Sequence, residues 1–94
     1  MKALLDNARS NIDRINTELV ALLIERMDHV DKVAEYKAAH GMPISVPERE
    51  KFILEKVSQL AGREYSDDIV PVFKAIFAAS CHREERKIHE ESVQ

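Results

Sequence analysis

At 94 residues, 45% of them hydrophobic and 33% charged, the chain has material for one modest globular core, so a single domain over 1–94 is expected rather than a disordered segment or a pair of domains. Its net charge of −3 comes with scattered basic residues and no basic patch interleaved with aromatics, which argues against a nucleic-acid partner. No apolar run approaches the ~20 residues of a membrane span, and Asp6 interrupts any signal-peptide core, so no membrane association and a cytoplasmic location are expected. The lone Cys81 excludes an intramolecular disulfide and suits a reducing compartment.

No helix breaker lies between Lys2 and His40, and Gly41, Met42 and Pro43 then end the segment. A first helix of some 36 to 38 residues would be about 55 Å long, whereas a compact domain of this length is about 26 to 30 Å across. Leu5, Ala8, Ile12, Ile15, Leu19 and Leu22 recur along it at spacings of three and four, forming an apolar stripe. One copy of the chain cannot cover that stripe, which predicts an interlocked homodimer.

Ser45 with Glu48 fits a capping box, and Pro47 suits a first turn, so a second helix is predicted from about Pro47 to Ala61, ended by Gly62. Its buried face would be Phe52, Ile53, Val57, Leu60 and Ala61. After a linker from Arg63 to Tyr65, Ser66 with Asp67 and Asp68 reads as a cap and acidic first turn of a third helix, early enough for Pro71 to be tolerated. Ile69, Phe73, Ile76 and Phe77 give that helix an inward stripe, continued by Ser80 and then by Glu84 four residues on. No repeat, low-complexity segment or strand pattern occurs, so the predicted fold is all-α with three helices per chain.

Polar groups interrupt the apolar stripes at particular places. Arg26 continues the stripe that ends at Leu22, and Lys37 continues a neighbouring one through Leu23, Met27, Val30 and Ala34. Eleven residues apart, the two cations point within about 20° of each other at roughly 16 Å axial separation. With Arg49 and Glu50 at the start of the second helix and Ser80 and Glu84 on the third, every helix offers one polar patch. Two readings fit. The patches form an ion-pair network, such as Arg26 with Glu84 or Lys37 with Glu50, or they surround a small anionic ligand. Arg9 lies 17 residues before Arg26, about 25 Å along the axis and on another face. On its own it is an ordinary exposed arginine, and only in an antiparallel dimer would it reach the same ligand.

Other candidates carry less. His29, His40, His82 and His89 show no metal-ligand spacing beyond His82 with His89, which lie among Arg83, Arg86 and Lys87, so no metal site is expected. Cys81 directly follows Ser80 and should point elsewhere, as a small core or interface residue. Arg83 to Glu91 reads as a solvated helical end.

Over essentially its full length the chain resembles the all-helical, AroQ-type chorismate mutases. The resemblance rests on Arg9 in an Ala-Arg-x-x-Ile-Asp-x-Ile stretch, Leu-Leu-Ile-Glu-Arg ending at Arg26, and Lys37 before a short Gly/Pro loop. Pro-Glu-Arg-Glu at 47–50 and the spacing of Phe73, Ile76, Ser80 and Glu84 complete it. It implies an intertwined homodimer of three-helix chains with two active sites, each borrowing Arg9 from the partner subunit. It also implies a cofactor-independent isomerase of aromatic amino acid biosynthesis that rearranges chorismate, a dianion, to prephenate by a concerted pericyclic shift, catalysed by positioning and charge placement.

Carried over by the resemblance, Arg26 and the partner subunit's Arg9 grip carboxylates, Lys37 donates to the ether oxygen and a carboxylate, and Glu50 accepts from the ring hydroxyl. Arg49 supports the site electrostatically, and Ser80 hydrogen-bonds a carboxylate. Glu84 takes the second ether-oxygen position, where relatives often carry glutamine, so it must be protonated to donate. Val46 stands where some relatives place an acid, leaving only its backbone to serve. Arg26-Met27-Asp28-His29-Val30 and the Val46-Pro47-Glu48-Arg49 loop also resemble the isochorismate-pyruvate lyase branch of this fold, but the carboxylate of Glu50 favours the mutase. A mutase acting on an aminated chorismate and a non-catalytic helical dimerisation module are the other readings.

Overall fold

The computed structural model describes residues 1–93, with side chains through residue 90. Helix α1 runs Lys2–Ala39, 38 residues without a break, and accounts for the 56 Å long dimension of the molecule. It ends as the glycine predicts. Gly41 takes φ 62, and the Met42 N–H reaches back to the Lys37 carbonyl at 2.9 Å, closing the last turn in a Schellman arrangement. That closure holds the backbone of Lys37 at the helix end.

Where three separate helices are expected, the second and third meet directly at a kink at Gly62 and run on as one element, so the described residues form two helical elements. α2 spans Pro47–Val93, and the linker anticipated at Arg63 to Tyr65 is helical. Only Gly62 departs, at φ 79 and ψ 171, a combination open essentially to glycine alone. The bend there is sharp. Ser58 and Ser66 would be about 12 Å apart along a straight helix, yet their hydroxyls lie 2.6 Å from each other. Ser66 is therefore a partner of Ser58 inside the helix and not the cap of a separate one. We refer to residues 47–61 and 63–93 as the first and second arms of α2.

The capping box expected of Ser45 and Glu48 does not form among the described residues. Pro47 takes the first helical position and moves the cap to Val46, whose carbonyl accepts from the Arg49 and Glu50 N–H groups at 3.0 and 3.2 Å. Pro71 sits inside the second arm, which forgoes one backbone hydrogen bond there.

Burial is uneven along the molecule. Every residue from 1 to 22 is exposed, including Leu5, Ile12, Ile15, Leu19 and Leu22 of the apolar stripe. The core begins where the arms of α2 cross the later half of α1 and contains Ala34, Val57 and Phe77. Two residues assigned to the inner face of the first arm are out of place: Phe52 is 58% exposed and Leu60 75%. No helix of the described residues is long and apolar enough to cross a membrane.

Candidate functional site

Where the two helices cross, a cavity of about 410 Å³ opens, a volume ordinary for a small-molecule site. α1 contributes Arg26, His29, Val30, Val33 and Lys37, an i, i+3, i+4, i+7, i+11 set that is one helical face. The connecting loop adds Ile44 and Val46, and the first arm adds Arg49, Glu50 and Ile53 from its opening turns. From the second arm come Phe77, Ser80, Cys81 and Glu84. Glu50 and Glu84 would be about 51 Å apart on a straight helix, so the bend at Gly62 creates their meeting.

The site's hydrogen bonds join α1 to the second arm and to the connecting loop. Lys37 Nζ donates to Glu84 Oε1 at 2.9 Å and to the Ile44 carbonyl at 2.6 Å, and Arg26 Nη1 donates to Ser80 Oγ at 2.9 Å. Lys37, Ser80 and Glu84 are 9%, 7% and 5% exposed. These are not the pairs anticipated for an ion-pair network, which were Arg26 with Glu84 and Lys37 with Glu50. Among the described residues only one of the site's three cations, Lys37, is in an ion pair. Arg49 lies over the Phe52 ring at 5.4 Å, a cation–π contact within the first arm.

Six of the seven residues singled out in the sequence therefore line one cavity: Arg26, Lys37, Arg49, Glu50, Ser80 and Glu84. Arg9 does not. It is exposed on the uncovered first half of α1, outside the cavity of its own chain. Cys81, expected to face away from Ser80, lines the cavity too, because it falls four residues after Phe77 on the same edge of the helix. Burial raises its thiol above the ordinary value, and the Glu84 and Glu50 carboxylates push it further the same way. His29 also joins the lining, one turn from Arg26.

Just outside the cavity, Arg83 makes two parallel bonds to Asp31, from Nε at 2.7 Å and from a terminal nitrogen at 2.8 Å. The Arg83 hydrogen bond holds the Asp31 carboxyl below its ordinary value, and Asp31 in turn raises Arg83. This pair corrects the reading of the stretch beginning at Arg83 as a solvated end, whose last residue, Glu91, lies outside the described side chains. Nothing in either residue's local pattern signals it, since they are 52 positions apart.

Three cations, two carboxylates and a hydroxyl around apolar walls can hold a small anion and orient it. Ser80 Oγ accepts from a guanidinium and meets no base among the described residues, so the arrangement is one for binding and charge placement rather than nucleophilic attack. In class, then, the described residues are all-helical, with a cavity lined by three cations between crossing helices.

The chorismate mutase type II family model matches residues 8–85, and the chain belongs to that family. It is 36% identical over 89 residues to the bifunctional chorismate mutase/prephenate dehydratase of Aquifex aeolicus, covering 89% of this chain and 24% of that protein. It is 34% identical over 64 residues to the chorismate mutase of Methanocaldococcus jannaschii, covering 68% of this chain and 65% of that one. The chain thus spans about a quarter of the first relative and under two thirds of the second. A third relative, the 4-amino-4-deoxychorismate mutase of Streptomyces venezuelae, is 24% identical over 91 residues, 95% of this chain and 88% of that one. No solved structure matches.

Proposed function

We propose that this chain is a chorismate mutase, converting chorismate to prephenate by holding the substrate in a compact, reactive conformation and stabilising the charge that develops as the carbon–oxygen bond breaks. The observation that carries the reading is the convergence of Arg26, Lys37, Arg49, Glu50, Ser80 and Glu84 on one 410 Å³ cavity in a member of this family. Arg26 grips a carboxylate, with Ser80 beside it. Lys37 donates to the ether oxygen and a carboxylate, and Glu50 accepts from the ring hydroxyl. Arg49 adds positive potential at the mouth. Glu84 donates to the ether oxygen when it carries a proton.

A second copy of the chain completes the site. The stripe of Leu5, Ile12, Ile15, Leu19 and Leu22 is about half exposed in one chain, so covering it adds about half of the 1.5 to 3 kcal/mol that full burial of each such side chain gives. Five side chains from each of two protomers then contribute about 8 to 15 kcal/mol, of the same order as an association cost of about 4 to 15 kcal/mol. An antiparallel partner packed there brings its Arg9 to the second substrate carboxylate. The cytoplasm suits a chain with one free thiol at the wall of its site.

A second substrate deserves a parallel assay, because the end-to-end match to the Streptomyces venezuelae protein covers more of both chains than the other two. A carboxylate at Glu50 accepts from an amino substituent as readily as from a hydroxyl. Chorismate, 4-amino-4-deoxychorismate and isochorismate are assayed side by side, following prephenate, its amino analogue, and pyruvate with salicylate. Prephenate as the fastest product supports the proposal. Pyruvate release from isochorismate would assign the lyase branch instead, and no turnover of any of the three would leave a non-catalytic helical dimer.

A further inference from the structure

Side-chain hydrogen bonds between α1 and the second arm of α2 include two sets. Arg26 with Ser80 and Lys37 with Glu84 lie in the cavity lining. Arg83 with Asp31 lies outside it, both residues being absent from the lining. A dianion entering the cavity takes Arg26, Lys37 and Ser80 as its own partners. Both inner ties are then spent on the ligand, at the moment when the alignment of the two helices decides the reaction geometry.

The outer tie survives that exchange. Asp31 sits on α1 between Arg26 and Lys37, and Arg83 sits on the second arm between Ser80 and Glu84. A fork of two parallel bonds fixes separation and rotation together, which a single bond does not. Its surroundings support it from both helices: Lys87 and Arg86 act favourably on Asp31, and Asp28 and Glu90 on Arg83. With side chains 17% and 36% exposed, the pair is too open to contribute much to stability, so its value lies in geometry.

Resting on the mutase reading above, we propose that the ion pair of Asp31 with Arg83 is a positioning element that keeps the second arm in register with α1 while substrate occupies the cavity, so that Ser80 and Glu84 stay aligned with Arg26 and Lys37. Neither residue touches substrate. A shift of about 1 Å at reacting groups can cost about 100-fold in rate, so a fraction of that shift costs about 10-fold.

The test measures kcat and KM for chorismate in Asp31→Asn, Arg83→Gln and the double variant, with circular dichroism at the assay temperature to count folded protein. Each single variant is expected to lower kcat per folded subunit about 10-fold while KM moves less than about 2-fold, because the carboxylate grips of Arg26 and Arg9 are on α1. The double variant should be no slower than the slower single, as for two residues acting as one unit. Arg83→Lys, which keeps the charge and loses the fork, guards against misfolding and should give an intermediate kcat. Affinity for a transition-state mimic should fall in step with kcat. Additive losses, or losses that vanish once the rate is expressed per folded subunit, would overturn the positioning role alone. A wild-type chain that does not turn over chorismate would remove the mutase reading and this inference with it.

Discussion

Lys37→Ala probes the site and the fold at once, and the structure separates the two. The Lys37 ammonium sits between Glu84 Oε1 at 2.9 Å and the Ile44 carbonyl at 2.6 Å, with the side chains of the ion pair 11% and 7% exposed. Deleting one partner of a buried pair costs about 3 to 5 kcal/mol, because the other charge stays buried alone. Domains have about 5 to 15 kcal/mol in total. At about 4 to 8 °C per kcal/mol, a loss of 3 kcal/mol lowers the melting midpoint by about 12 to 24 °C. Inactivity of the single variant would then confuse lost chemistry with lost fold. Adding Glu84→Gln removes the stranded charge and leaves an amide that can still donate, so the double variant should recover most of the midpoint. It should still lack turnover, since no ammonium faces the ether oxygen. Thermal melts by circular dichroism and a chorismate-depletion assay on both proteins decide the matter. A double variant within about 10-fold of wild-type rate refutes the role of Lys37, for loss of a transition-state donor costs about 100-fold or more. A single variant melting like wild type refutes the buried-pair energetics.

Glu84→Gln alone tests the second ether-oxygen contact. The carboxylate accepts from Lys37 as it stands and donates only when protonated, whereas the glutamine amide donates without a proton, so kcat/KM of the variant should exceed that of wild type in a chorismate-depletion assay. A variant slower than wild type removes Glu84 from the ether oxygen. Arg9→Ala and Arg26→Ala homodimers should each be inactive. Mixed in equal amounts they should regain about a quarter of wild-type activity, since half the dimers are hybrid and one of the two sites in each hybrid is intact. No recovery, with subunit exchange verified by mass spectrometry, places Arg9 outside the site. The raised Cys81 thiol should alkylate with iodoacetamide at least about tenfold more slowly at pH 8 than in the unfolded chain, and more slowly again with a transition-state mimic in the cavity it lines. Modification at the rate of a free thiol contradicts its burial.

What the sequence makes legible follows from where its rules are strict. Helix breakers bound α1, so its length and its end at Gly41 are readable, and with them the stripe that one chain leaves uncovered. Arg26, Lys37, Ser80 and Glu84 stand out because each replaces an apolar residue at a position the helical period assigns to the interior. The absence of a linker is not readable. Gly62 marks the break, but one glycine turns the chain without a linker, and Ser66 looks like a cap until its hydroxyl is found against Ser58. Phe52 and Leu60 follow the apolar period yet face outward in one chain, because periodicity identifies a greasy side without saying which molecule covers it. Asp31 and Arg83 are ordinary charged residues locally, and only the crossing of the helices makes them partners.

Gly62 has open space around it, with nothing within 4 Å of an added Cβ, so a side chain there would meet no obstacle except its own backbone. At φ 79 and ψ 171 that obstacle is about 1 to 3 kcal/mol for an alanine. Relieved by straightening, α2 would become a rod about 70 Å long, and its far end would swing clear of the groups it serves. The arrangement of the cavity lining thus hangs on a lever whose fulcrum is a single torsion, and a methyl group added far from the cavity would load that fulcrum with strain.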